Sequence, residues 1–190
     1  MKINFEYSEP LDIMLTEMAL QSYTPKQIVE MTEYKKIIET HWKKQESKTT
    51  KLIESLSGLK FERDVECFPV KNMEFRAISS PFIIRKEKDL KMAEIIIIHE
   101  LIHIILTQNK DKVVNYITAI YPNKRHDFKI HVAVLAIQKQ VMEKLFENEF
   151  IKNFIKEDED SLKDAWTEVI KHSHRYKNNI ISFLKNENLE

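Results

Sequence analysis

The chain has 190 residues and carries thirty basic and thirty acidic side chains, so its zero net charge gives no field-based argument for nucleic acid or an anionic membrane as partner. A single glycine excludes phosphate-cradling glycine loops and argues against nucleotide-dependent chemistry. A single cysteine, Cys67, excludes an internal disulfide, which a chain of this length does not need in order to bury a core.

The N-terminal stretch MKINFEYSEP lacks a basic patch followed by an apolar run, so a reducing, cytoplasmic setting is expected. Leu11, Met14, Leu15, Met18 and Ala19 recur at helical spacing and predict a helix over 11–23. Thr24-Pro25 then offers an N-cap followed by proline at the first helical position. The helix begun there runs through Ile28, Met31, Ile38 and Trp42 to Leu56 and stops at Gly58, a residue type favoured just past a helix end. Its polar middle, Lys43 to Thr50, reads either as a solvated stretch or as a break between two helices.

Between Phe61 and Arg85 the pattern turns strand-like, over Asp64–Val70, Met73–Ser79 and Phe82–Arg85, with turns at Lys71-Asn72 and Ser79–Pro81. Asp89 is the expected N-cap of the next helix, which is apolar nearly all round from Ile95 to Leu106. Interrupted by His99, Glu100 and His103, this run is too short and too polar to span a bilayer, so it reads as a buried core helix. A short helix over Val113–Ile120, a turn at Tyr121–Asn123 and a helix from Asp127 to Phe150 follow. Glu157–Asp160 reads as a solvated linker, and Ser161 as the cap of a last amphipathic helix with Leu162, Trp166, Val169, Ile170, Ile180 and Leu184 on its buried side.

The chemistry concentrates in His99-Glu100-Leu101-Ile102-His103. Histidines at i and i+4 lie one turn apart on one helix face, so both imidazoles can reach a single metal ion. Zinc suits such nitrogen ligands, and a catalytic site uses three protein ligands with the fourth position left to water. Glu100 is then placed as the base that takes the water's proton. The competing reading has the histidines satisfied by hydrogen bonds in a core. Two histidines and a carboxylate in an otherwise apolar helix need partners if buried, and a metal supplies one.

A strand at Phe82–Arg85, a short polar connection and an apolar helix bearing HELIH resemble the zincin metallopeptidases over roughly residues 73–142. The resemblance implies an α+β, mostly helical fold with a small sheet packed on the HExxH helix. It implies zinc held by His99, His103 and a third ligand from a later helix, with Glu100 as general base. It also implies that Phe82–Arg85 is the edge strand that receives an extended substrate by main-chain pairing. One zincin-like domain over residues 1–190 is expected: a helical N-terminal region to residue 60, a metal-site core over 61–150 and a C-terminal helix over 151–190.

For the third ligand, His126 and His131 both follow the motif at a suitable distance, but five residues of helix rotate one roughly 140° from the other. His131 lies in the apolar run HVAVLAI, where an unpartnered imidazole is costly to bury, and this favours it. Its segment Ile130–Ile137 resembles a histidine-bearing helix of small prokaryotic and phage metallopeptidases. His126 resembles the third histidine of SprT-like proteases, with Asp127 in place of their glycine and Phe128 at a different offset. Glu143 is a further alternative. Asp127, one turn before His131, is placed to orient that imidazole.

His172 and His174 near Tyr176, and Tyr116 or Tyr121, are secondary candidates for oxyanion donors, with surface or packing roles as the alternative. Cys67 reads as a small buried hydrophobe. The chain is thus expected to be a zinc-dependent metallopeptidase acting on a peptide or protein, with neither nucleic acid nor membrane as partner. A zinc-binding regulatory or interaction domain without turnover is the alternative, which Glu100 disfavours because a structural site gains nothing from it.

Overall fold

A computed structural model of the chain describes residues 1–111, 113 and 121–173. The class is α+β, with helices predominating around a small mixed sheet. The chain divides into two units, Met1–Thr50 with Glu62–Ile104, and Lys51–Phe61 with Ile105–Glu190.

The first unit holds the sheet. Its strands are β1 (Ile3–Phe5), β2 (Val65–Val70), β3 (Ala77–Ser79) and β4 (Phe82–Arg85), in spatial order β1-β2-β4-β3. β2 pairs parallel with β1, Ile3 opposite Val65, and parallel with β4, Phe68 opposite Ile83. β3 closes antiparallel on β4 with Ser79 opposite Phe82. This corrects the expectation that Phe82–Arg85 is an edge strand: its main chain is committed on both sides, and β3 is the edge beside it. The strand expected over Met73–Ser79 shortens to Ala77–Ser79, because Met73 is instead buried against Leu15, Val70 and Ile83.

β1 lies in a region expected to be helical. It is tied down from a distance: Lys2 N–H donates to Asp64 Oδ1 at 2.7 Å and Ile3 N–H to Glu46 Oε1 at 2.7 Å. Glu46 Oε1 also accepts Trp42 Nε1–H at 3.1 Å, and Trp42 is fully buried.

Helix α1 (Glu9–Met18) carries Pro10 in its first turn and stops earlier than its periodicity predicts. Leu20 takes a left-handed φ of 55°, Leu20 N–H returns to Glu17 O at 2.9 Å and Gln21 N–H to Thr16 O at 3.0 Å. This is a Schellman ending, and a leucine at its left-handed position costs about 1–2 kcal/mol. On the buried face, Asp12 Oδ1 accepts Lys71 N–H at 2.7 Å and Oδ2 accepts Tyr7 O–H at 3.1 Å. Burial, and then the Asp12 charge, push the Tyr7 phenol above its ordinary range.

The helix expected from Thr24-Pro25 begins one residue later: Pro25 is the N-cap of α2 (Lys26–Lys43) and the Thr24 hydroxyl makes no cap bond, while Gln27 N–H donates to Thr24 O at 2.9 Å and Thr24 N–H to Gln27 Oε1 at 3.1 Å. Met31, Tyr34, Ile38 and Trp42 form its buried stripe. The polar middle proves to be a break at Lys44-Gln45, after which α3 (Glu46–Ser57) runs to Gly58, whose φ of 74° ends it as expected. Asp89 caps α4 (Leu90–Gln108) through Lys91 N–H at 2.9 Å, and Ile95, Ile97, Ile98, Leu101 and Ile102 are fully buried around the helix. Arg76 Nη1 reaches Met92 Sδ at 3.7 Å and Ser79 bonds Glu100, so sheet residues meet α4.

In the second unit, α5 (His126–Leu145) buries Val132 to Gln138, Val141 and Met142. It ends four residues or more before the expected Phe150, because Phe146 is extended and Asn148 opens α6 (Asn148–Lys171). The predicted linker Glu157–Asp160 is helical instead, inside α6. There Trp166 Nε1–H donates to Asp158 Oδ2 at 2.7 Å, and Phe154 and Trp166 meet edge-on at 6.5 Å. The break expected at Ser161 is a kink at Leu162, with φ −124° and ψ 23°. Trp166 and Val169 are buried as expected, but Ile170 falls outside that stripe and is 47 % exposed; Ile180 and Leu184 lie outside the described residues. The turn after Tyr121 is present, with Lys124 N–H on Tyr121 O at 3.1 Å. Apart from Val113, the helix expected over Val113–Ile120 lies outside the described residues. Among the described residues no helix is long and apolar enough to cross a membrane.

Candidate metal centre

His99 and His103 occupy one face of α4, with Glu100 on a neighbouring face. Both imidazoles are half-buried; their Nε2 atoms lie 3.1 Å apart and their ring centroids 4.8 Å, tilted by 60°. Two nitrogens bound tetrahedrally to one zinc at ordinary distances are about 3.3 Å apart, so this spacing fits joint ligation of one ion.

His131, on the second turn of α5, is also half-buried. Its Nδ1 lies 2.9 Å from Asp127 O and 3.0 Å from Asp127 Oδ1. Both neighbours only accept, so Nδ1 is the protonated nitrogen of this contact. The expected role of Asp127 as an orienting group has the geometry it needs. His99 and His103 belong to the first unit, and His131 with Asp127 to the second.

The two alternatives sit elsewhere on α5. His126 is exposed at the start of α5. Glu143 is three helical turns beyond His131, about 18 Å along the axis, and is paired with Lys139.

Glu100 is 8 % exposed. Burial pushes its carboxyl up to about 7, against the pull of a hydrogen bond with the Ser79 hydroxyl. Cys67, fully buried on β2, has its thiol raised well above the ordinary range by burial and then by the Glu100 charge. It keeps its proton and packs as the small hydrophobe expected.

Of the secondary candidates, Tyr121 O–H donates to Glu168 Oε1 at 2.8 Å, and His172 Nε2 lies 4.0 Å from Glu168 Oε2. Tyr116, His174 and Tyr176 lie outside the described residues. Two partners were missed from sequence. Ser79 reads as the end of a strand and the start of a turn, and no local signal links it to Glu100. His41, whose Nε2 lies 3.1 Å from Glu94 Oε2, was detectable as a residue flanking the buried stripe of α2.

Compared with family models, with curated proteins and with solved structures, the chain matches none of them.

Proposed function

We propose that the chain is a zinc-dependent metallopeptidase of zincin type, with His99, His103 and His131 as ligands and Glu100 as general base. The observation that carries this reading is the pairing on one helix of two Nε2 atoms 3.1 Å apart with a buried carboxyl at the intervening position. Bound zinc would polarise the scissile carbonyl and acidify the attacking water.

The protein's own groups divide the remaining work. Asp127 holds the proton on His131 Nδ1, which fixes the ring and leaves Nε2 to ligate. Glu100 takes the proton of the attacking water on its carboxylate and passes it to the leaving nitrogen. Burial raises that carboxyl above the ordinary glutamate range, which makes it the stronger base for the first transfer. The surrounding isoleucines and leucines of α4 keep bulk water away from that transfer. We also infer a reducing, cytoplasmic setting, which a lone buried thiol suits.

Metal analysis of purified protein supplied with zinc, followed by hydrolysis of fluorescein-labelled casein, tests the reading. One zinc per chain, with activity abolished by 1,10-phenanthroline and restored by zinc, is expected. A stoichiometric zinc without hydrolysis favours a regulatory domain, and no stoichiometric zinc overturns the metal site.

A further inference from the structure

A base that takes a proton from water must have its carboxylate aimed, and a glutamate side chain turns about several torsions. The neighbours of Glu100 in sequence do not aim it. Ile97, Ile98, Leu101 and Ile102 are buried and aliphatic, so they exclude water but offer the carboxylate no hydrogen bond. Among the described residues the Ser79 hydroxyl is the one group that hydrogen-bonds Glu100.

Ser79 belongs to a different element, and that element is fixed along α4. It ends β3 opposite Phe82, with Ile78 opposite Ile83, and Phe82 and Ile83 are both buried. At the far end of the hairpin Arg85 N–H donates to Arg76 O at 2.8 Å, and Arg76 Nη1 reaches Met92 Sδ at 3.7 Å. The segment thus meets α4 at Met92 and again at Glu100. Eight residues of helix rise about 12 Å and three of strand about 10 Å, so a strand laid along the helix makes both contacts at once.

We propose that Ser79 is a positioning residue for the hydrolysis: its hydroxyl donates to one oxygen of the Glu100 carboxylate, fixes the group and leaves the other oxygen to take the water's proton. The assignment rests on the peptidase reading above. A hydroxyl suits the task because its single O–H engages one oxygen and carries no charge. A lysine or arginine there would hold the carboxylate in an ion pair and weaken it as a base.

Steady-state hydrolysis of fluorescein-labelled casein by zinc-loaded wild type, Ser79→Ala and Ser79→Thr tests this, with zinc content and melting temperature measured on the same samples. Ser79→Ala is expected to hold one zinc per chain and keep its KM while kcat falls about tenfold or more, because only the aim of the base is lost. Ser79→Thr, which restores the hydroxyl on a residue suited to a strand, is expected to recover kcat to within about threefold. An unchanged kcat in Ser79→Ala, or a fall that a folded Ser79→Thr does not reverse, overturns the assignment while the peptidase reading stands. Loss of zinc or a large drop in melting temperature in Ser79→Ala also overturns it, since the hydroxyl then serves the fold. A wild type that holds zinc and leaves casein uncut overturns both.

Discussion

His41 Nε2 lies 3.1 Å from Glu94 Oε2, joining the end of α2 to α4 five residues ahead of His99. Glu94 is 5 % exposed, so the imidazole is what satisfies a carboxylate taken out of water. The helix that carries the candidate ligands is thereby held to the first unit by a polar tie as well as by its isoleucines.

Removing His41 leaves that carboxylate buried without its partner. His41→Ala is expected to lower unfolding stability by about 1–3 kcal/mol. Glu94→Gln should cost less, and the double variant less than the sum of the two. Urea unfolding of the four proteins gives the coupling; additive losses would show that the pair is not a unit.

Stability should fall in acid through Glu30. Hydrogen bonds from Lys71 and then Lys86 hold its carboxyl below the ordinary range. A carboxyl with a folded value below its unfolded one contributes stability above the unfolded value, and that contribution is lost as pH falls through the folded value. The window thus opens below about pH 4.5, the ordinary range of a glutamate. Because Glu30 is about a third exposed, salt screens the effect, which is on the order of 1 kcal/mol or less. Glu30→Gln should remove that part of the acid limb, measured as melting temperature against pH at low and high salt.

The Cys67 thiol should be inert in the native protein. Full burial and the nearby Glu100 charge both keep it protonated, and the thiolate is the reacting form. Ellman's reagent should label it only as the chain unfolds, with the same urea midpoint as circular dichroism. Rapid labelling without denaturant would contradict its full burial on β2.

Zinc affinity should separate the candidate third ligands. His131→Ala is expected to lose stoichiometric zinc and His126→Ala to keep it. Asp127→Asn should weaken affinity about tenfold, because Nδ1 retains the Asp127 carbonyl as an acceptor. Competition with a chromophoric chelator reads all three; loss of zinc in His126→Ala with retention in His131→Ala would reverse the assignment.

Features with local physics were legible in the sequence. Asp89 before an apolar run and Gly58 after an amphipathic stretch each marked a helix end that the structure has, and Thr24-Pro25 marked one to within a residue. What depends on distant partners was not. β1 is three residues whose pairing partner lies about sixty residues on, and nothing in Ile3–Phe5 announces it. The interior position of Phe82–Arg85 follows from a parallel ladder with β2, which strand periodicity does not encode. The acidic run Glu157–Asp160 reads as solvated linker until Trp166 reaches back to Asp158. At the candidate centre, i and i+4 spacing gave His99 with His103, whereas Ser79 beside Glu100 is a tertiary fact.

The most direct test of the central claim is Glu100→Gln, measured for bound zinc and casein hydrolysis in the same preparation. Both proteins are expected to hold one zinc per chain, with hydrolysis by the variant lower by about a hundredfold or more. A variant that keeps its zinc and hydrolyses casein as fast as wild type would contradict it.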